Sequence, residues 1–245
     1  MICPLQYKNL VEGVVMDIVE CYLTRGSKRA FLDKPVPKEL LTKIMEVAMR
    51  VANTADTQAY EIHIFGGEAI KKIKKAYMER VLADVPANPD MPYRPSEWPE
   101  PYASRRAALE DPKWGPTTFT LLGIDYKSPD ARKQFNMKGC GDLFGAPNGI
   151  IICLDKKLGI FEPWCLLDCG SLMQAILVLA HNYGLGCVPQ MQIVAYPDVL
   201  RKILNIPESK KIIVGISLGY PAEAPINTYK SQRAAVDEVV TWYDV

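Results

Sequence analysis

Apolar residues recur at helical spacing in several windows and crowd together in a few short runs. The order of these windows sets the expected architecture. Between Val11 and Tyr22, positions Val14, Val15, Ile18, Val19 and Tyr22 share one broad face, so an opening helix is predicted. A second helix is expected from Pro37, a residue suited to a first turn, with Glu39 beside it. Leu40, Leu41, Ile44, Val47 and Ala48 then follow at helical spacing. Tyr60 to Phe65 partly alternates and ends at Gly66-Gly67, which reads as a strand and a turn. Glu68 to Leu82 resumes as a helix with a lysine-rich outer face.

Further along, a short helix is expected from Pro129 to about Gly139, and Gly149 to Leu154 is a β-branched run that reads as a buried strand. Leu166 to Tyr183 is predicted as a buried helix stopped by Gly184. Pro197 to Leu204 is a short helix, Ile212 to Leu218 a central strand, and Tyr220 to Thr228 an extended, proline-bearing tail. A last helical turn follows Arg233. Few strands separated by helices indicate an α+β or α/β domain with one sheet covered by helices. Residues 84–116 break the pattern with many prolines and the aromatics Tyr93, Trp98, Tyr102 and Trp114. Four aromatics argue against plain disorder, so the stretch reads as a lid or specificity insert, or as a surface excursion packed on its own domain or a partner subunit.

Length and charge narrow the function classes. The 245 residues fit one domain, and 29 basic against 28 acidic residues give no global attraction to nucleic acid or an anionic membrane. An anion site must therefore be a local cluster. Seven cysteines, several in apolar runs and none as CxxC, read as buried free thiols in a reducing cytosol. Cys165 and Cys169 lie four apart, but with only His63 and His181 as histidines they point to packing rather than a metal site. The N-terminus lacks a secretory pattern. The longest apolar stretch, Leu166 to Ala180, contains Asp168, Ser171 and Gln174 and is too short and polar for a membrane span. A cytoplasmic protein is expected.

The basic residues bunch at Arg25-Gly26-Ser27-Lys28-Arg29, where a helix ends. Arginine grips phosphate bidentately, a serine hydroxyl adds a bond, and glycine allows close backbone approach. A helix C-terminus also favours cations, so the cluster taken alone reads equally as a solvated cap.

Taken in order with other segments, the cluster resembles the opening of the FMN-dependent nitroreductase family, an Arg-x-Ser-x-Arg/Lys-x-Phe signature that here ends at Phe31. The family's Pro-Ser-x-x-Asn-x-Gln-Pro-Trp stretch corresponds to Ala52 through Tyr60. Gly145-Ala146-Pro147, Asp168-x-Gly170, Gly184-Leu185-Gly186, Val188-Pro189-Gln190-Met191, Ile206-Pro207, Leu218-Gly219-Tyr220-Pro221 and Arg233 follow in the family's order over nearly the whole chain. The Tyr93–Tyr102 insert, with Arg94, Trp98 and Arg105-Arg106, resembles the nitrobenzoate-reductase-like branch.

The resemblance implies an α+β fold with a central mixed β-sheet flanked by helices, in an intertwined homodimer with FMN at the subunit interface. It implies that Arg25, Gly26, Ser27, Lys28 and Arg29 hold the phosphate and that Arg233 closes on it. Asn53, Asp56 and Gln58 would lie beside the flavin, and Pro189, Gln190 and Met191 would pass main chain along the isoalloxazine ring. Tyr93, Arg94, Trp98 and Arg105 would line the substrate pocket, the arginines favouring an anionic substrate. NADH or NADPH would supply electrons for a nitroaromatic or similar electron-poor acceptor. Hydride transfer requires no side-chain acid or base, so no catalytic residue is assigned.

The second motif departs from the family pattern at Ala52, Asn53, Asp56 and Ala59-Tyr60. An ionised Asp56 accepts hydrogen bonds but cannot donate, and near the cofactor it would lower the reduction potential unless Arg25 or Arg29 neutralised it. Alternatively, Asp56 caps a helix or pairs with an arginine. Competing functions on the same scaffold are reductive dehalogenation, alkene reduction, flavin breakdown, non-catalytic flavin binding and a flavin-free relative.

Overall fold

A computed structural model describes residues 16–92, 97–107, 109–111, 113 and 115–245. Val11, Val14 and Val15 of the expected opening helix lie outside the described residues, as do Tyr93, Arg94 and Trp114. The described part of that helix, α1, is Ile18–Thr24, started by Asp17, whose carboxylate accepts from Val19 N at 2.9 Å. Helix α2 is Lys38–Ala48, strand β1 Tyr60–Gly66, helix α3 Gly67–Leu82 and strand β2 Asn148–Asp155. Helix α4 is Glu162–Asn182, strand β3 Gly186–Gln190, helix α5 Pro197–Leu204 and strand β4 Lys210–Gly219.

The four strands pair in the order β1-β2-β4-β3. Every pair is antiparallel, which corrects the expected mixed sheet for the strands of this chain. The parallel element is a single bridge between Ser27 and Cys187. Strands β2 and β3 both run antiparallel to β4 and so run parallel to each other; helix α4 connects them, and β4 lies between them.

Both faces of the sheet are covered, and β2 shows why its sequence is continuously apolar. Ile150, Ile152 and Leu154 face a core built with Leu41, Ile44 and Ala48 of α2 and Cys169, Leu172 and Ile176 of α4. Ile151 and Cys153 face a second core with Ile70, Ile73 and Tyr77 of α3 and Leu200 of α5. A strand buried on both sides loses the polar alternation of a half-exposed one. Each isoleucine withdrawn from water contributes about 2 kcal/mol. A register shift opposite Ile152/Cys153 leaves Ile213 unpaired, a bulge in β4.

Strand β3 was not anticipated, because Pro189 sits in it. It is an edge strand, and the Cys187 carbonyl on its outer side accepts from Lys28 N at 3.0 Å. Pro189 is two residues on and faces the same way, so its missing N–H falls on the free edge.

Helix α4 lies within a stretch, Lys156–Asn182, long and apolar enough by length and composition to cross a membrane. In this fold its Leu172, Ile176, Leu177 and Ala180 are spent on the core. Cys165 and Cys169 pack there too.

Candidate functional site

The basic cluster lies on the outer edge of β3. Helix α1 ends at Arg25, whose N–H still donates to Cys21 O. Ser27 then bridges Cys187, and Phe31 bridges Pro221, so the segment is stitched to β3 and to the chain beyond β4. Asn227, which the sequence reading did not single out, locks it. Its Oδ1 accepts from Arg29 N at 2.8 Å, and its Nδ2 donates to Ala30 O at 2.8 Å and Ala222 O at 2.9 Å. An asparagine that closes a Pro225–Thr228 turn is the available signal, since its amide can mimic a backbone pair.

The cations of this segment divide by partner. Lys28 Nζ donates to Asn227 O at 2.8 Å, and burial, then Lys230 and Arg25, push its ammonium below the ordinary lysine value. Its charge is structural. The half-buried Arg29 guanidinium is pulled below its ordinary value by burial, opposed by Tyr229. Among the described residues, no carboxylate or carbonyl meets the side chains of Arg25 or Arg29, and the Ser27 hydroxyl has no hydrogen bond. A half-buried cation without a counter-charge is costly, and a phosphate would satisfy it with charge-assisted bonds. The residues present therefore fit a phosphorylated cofactor at this edge.

His181 at the end of α4 borders the cluster. Thr24 Oγ1 donates to Glu20 O at 2.7 Å and lies 2.9 Å from His181 Nε2. Its single proton is committed, so Nε2–H is the donor in that pair. Burial, then Lys28 and Arg25, push His181 below its ordinary value, while Glu20 opposes them.

The Asn53–Gln58 loop is a second, separate element. Ala55, Asp56 and Gln58 have φ of 51°, 56° and 46°, three left-handed non-glycine residues around the right-handed Thr57, a conformation that costs free energy and persists only when anchored. The anchor is Asp168 of α4: its buried carboxylate accepts from Thr54 N at 3.0 and 3.1 Å and from Thr54 Oγ1 at 3.2 Å. Asn53 Oδ1 accepts from Gln58 N at 3.0 Å, and the exposed Asp56 carboxylate accepts from Gln58 Nε2 at 3.1 Å. Among the described residues, Asp56 thus neither caps a helix nor pairs with an arginine. Arg50, Asn53, Asp56 and Gln58 line a shallow hollow of about 110 Å³. Tyr60, just past the loop, buries a hydroxyl that has no hydrogen-bond partner among the described residues.

At the exit of β3, the buried Gln190 donates from Nε2 to Ser217 Oγ at 2.7 Å, and its buried Oε1 meets no donor among the described residues.

Arg233 and Arg105 meet in one place. Both line a cavity of about 580 Å³ with Tyr229, Lys230, Leu109, Leu121 and Glu238. Arg233 Nη1 folds back onto Ser231 and the Gln232 carbonyl, and Arg105 pairs with Glu238 at 3.1 Å. The insert therefore touches the tail that clamps Arg29. Arg106 is committed to Glu110 at 3.1 Å, and Trp98 is exposed. The start of the insert is held by Asp90, whose Oδ2 takes Arg201 Nη2 and Ile212 N, both at 2.7 Å.

Comparison with known proteins places this arrangement. The nitroreductase family profile matches residues 22–220. The chain is 30% identical over 212 residues to a 4-nitrobenzoate reductase of Pseudomonas putida, covering 86% of this chain and 88% of that one. It is 30% identical over 222 residues to a nitrobenzene nitroreductase of Ectopseudomonas oleovorans, covering 89% and 93%. Among solved structures, the FMN- and NADPH-dependent nitroreductase NfnB of Sphigopyxis sp. strain HMH superposes with a TM-score of 0.84 at 24% identity, over 94% of this chain and all of that one. NfnB of Mycobacterium smegmatis, solved with NADPH, gives 0.81 at 23% identity, over 93% and 100%. This chain belongs to the nitroreductase family.

Proposed function

We propose that this chain is an FMN-dependent oxidoreductase that passes electrons from NADH or NADPH to a nitroaromatic or similar electron-poor small molecule. The observation that carries the reading is the half-buried Arg29 guanidinium, which lacks a carboxylate and stands beside Ser27 and Arg25 on a segment pinned to β3. The names of the relatives support the acceptor class, and those of the structural neighbours support FMN and NADPH.

Arg25, Ser27 and Arg29 would hold the phosphate, with Gly26 allowing close approach and Lys28 fixing the segment to Asn227. Arg233 would turn from its own loop to close on the same group. Bound FMN supplies the ability to accept a hydride and pass electrons on. The chain supplies position and field. Its unpaired cations favour added negative charge nearby, and the main chain of Pro189, Gln190 and Met191 leaves the β3 edge where the ring would lie. The exposed insert residues Trp98 and Arg105, with Tyr93 and Arg94, would select the acceptor.

The reading includes an intertwined homodimer. Ile160 and Phe161, just before α4, and Trp164 and Leu167, near its start, are 87%, 58%, 58% and 64% exposed, and Trp242 and Tyr243 of the tail are 65% and 80% exposed. A surface this apolar fits burial against a second copy. Strand β1 is an open edge, and a β-branched and aromatic tail from a partner would cover it. Asn53, Asp56 and Gln58 would then reach the partner's flavin. Six described cysteines are free and buried, in keeping with a reducing cytoplasm.

The test is direct. The purified protein should carry FMN or take it up stoichiometrically, and size measurement should give a dimer. A colourless protein that binds no added FMN contradicts the proposal. Flavin uptake without oxidation of either nicotinamide nucleotide by any acceptor would indicate a flavin-binding protein instead.

A further inference from the structure

The residues that leave β3 are held from both sides. Gln190 is tied to Ser217 of β4, as described above. Gln192 is tied to a different element: its Nε2 donates to Asn136 Oδ1 at 3.1 Å. Asn136 ends the short helix Ala131–Asn136 and leads into a single π turn, Met137–Gly141, a local geometry common at functional sites.

Gly139 of that turn explains why the Gln192 amide fits. A Cβ at position 139 would stand 2.3 Å from Gln192 Oε1 and 2.8 Å from its Nε2. Gly139 is not at a left-handed φ, so close approach, rather than backbone conformation, demands the glycine. Met191 lies between the two anchored amides, and its carbonyl accepts from Val194 N at 3.1 Å to start the Gln192–Val194 turn.

We propose that Gln192, seated against Gly139 and bonded to Asn136, is a positioning residue for the Met191 main chain, and through it for the ring of bound flavin. The inference rests on the proposed function, in which residues 189–191 run beside the isoalloxazine. The lock fixes a direction of the chain and touches no phosphate-binding group. Its effect should therefore fall on the ring and not on the phosphate.

Titration of the apoprotein with FMN and with riboflavin, read by flavin fluorescence, separates the two. Gln192→Ala, Asn136→Ala and Gly139→Ala should each weaken FMN and riboflavin by the same factor, about 5-fold, the worth of roughly one hydrogen bond. Arg29→Ala is the contrast and should weaken FMN while leaving riboflavin unchanged. Gly139→Ala made on top of Gln192→Ala should add nothing, because its only effect is to displace that amide. Unchanged riboflavin affinity in the three variants overturns the proposal, as does a further loss in the double variant. If one variant fails to fold, the other two carry the same comparison. A wild-type protein that takes up neither flavin overturns the proposed function itself, whereas failure of the inference alone leaves wild-type binding intact.

Discussion

The side-chain amide of Asn227 holds the backbone of Arg29: its Oδ1 accepts from Arg29 N at 2.8 Å while its Nδ2 spans the carbonyls of Ala30 and Ala222. One residue of the tail thus sets the course of the cationic segment. Asn227→Ala should remove three hydrogen bonds and cost about 1–3 kcal/mol of stability, since partly buried groups are left unpaired. FMN affinity should fall alongside. Urea unfolding and flavin titration check the pair, and a stability loss with unaltered FMN affinity would separate Asn227 from the site.

Asp168 makes the corresponding contact for the Asn53–Gln58 loop. Asp168→Ala leaves Thr54 N without its acceptor and releases three left-handed residues, Ala55, Asp56 and Gln58. A loss of about 1–3 kcal/mol is expected, with proteolytic cleavage appearing in this loop before elsewhere. Cleavage distributed as in the wild type would show that the loop holds itself.

His181 gives a pH dependence with a definite sign. Its folded value lies below 6.5, so between these values the unfolded chain binds more protons, and stability falls as pH drops through about 6.5 toward the folded value. Phosphate or FMN at Arg25 and Arg29 adds negative charge nearby and should move the His181 titration upward. Proton NMR can follow it cleanly, because the chain has only two histidines. No displacement on adding FMN would place the anion elsewhere.

Asp56 tests the departure from the family pattern. Its carboxylate is exposed and accepts from Gln58, so Asp56→Asn should leave stability within about 0.5 kcal/mol. Under the proposed homodimer, in which Asp56 reaches the partner's flavin, the same change should raise the flavin midpoint potential, because it removes a negative charge near the ring. An unchanged potential would take Asp56 out of the cofactor's surroundings.

Much of this was legible from sequence because the signals were local. The apolar spacing of Leu41, Ile44 and Ala48 and the run Ile150–Leu154 report burial directly, and both elements appear where expected. The two-sided burial of β2 also explains why its run shows no alternation. Strand β3 was hidden, since Pro189 argues against a strand unless the strand is known to be an edge. The sheet was expected to be mixed, but pairing direction is set by long-range connections, and a seven- or eight-residue run carries no sign of it. Arg25 to Arg29 could be picked out by charge density. Which of those cations is free could not, because the distinction depends on Asn227, about 200 residues away in sequence. Arg105 looked available for an anion, and Glu238 already meets it.

Electron flow through a flavin held by this chain is what the proposed function requires. Its most direct test is anaerobic: FMN-loaded protein is mixed with NADH or NADPH, the visible flavin absorbance is followed, and a nitroarene is then added. The absorbance should bleach with at least one of the two nucleotides and return on adding the nitroarene, with loss of the nitro compound. Flavin that stays oxidised with both nucleotides, or reduced flavin that no nitroarene reoxidises, would contradict it.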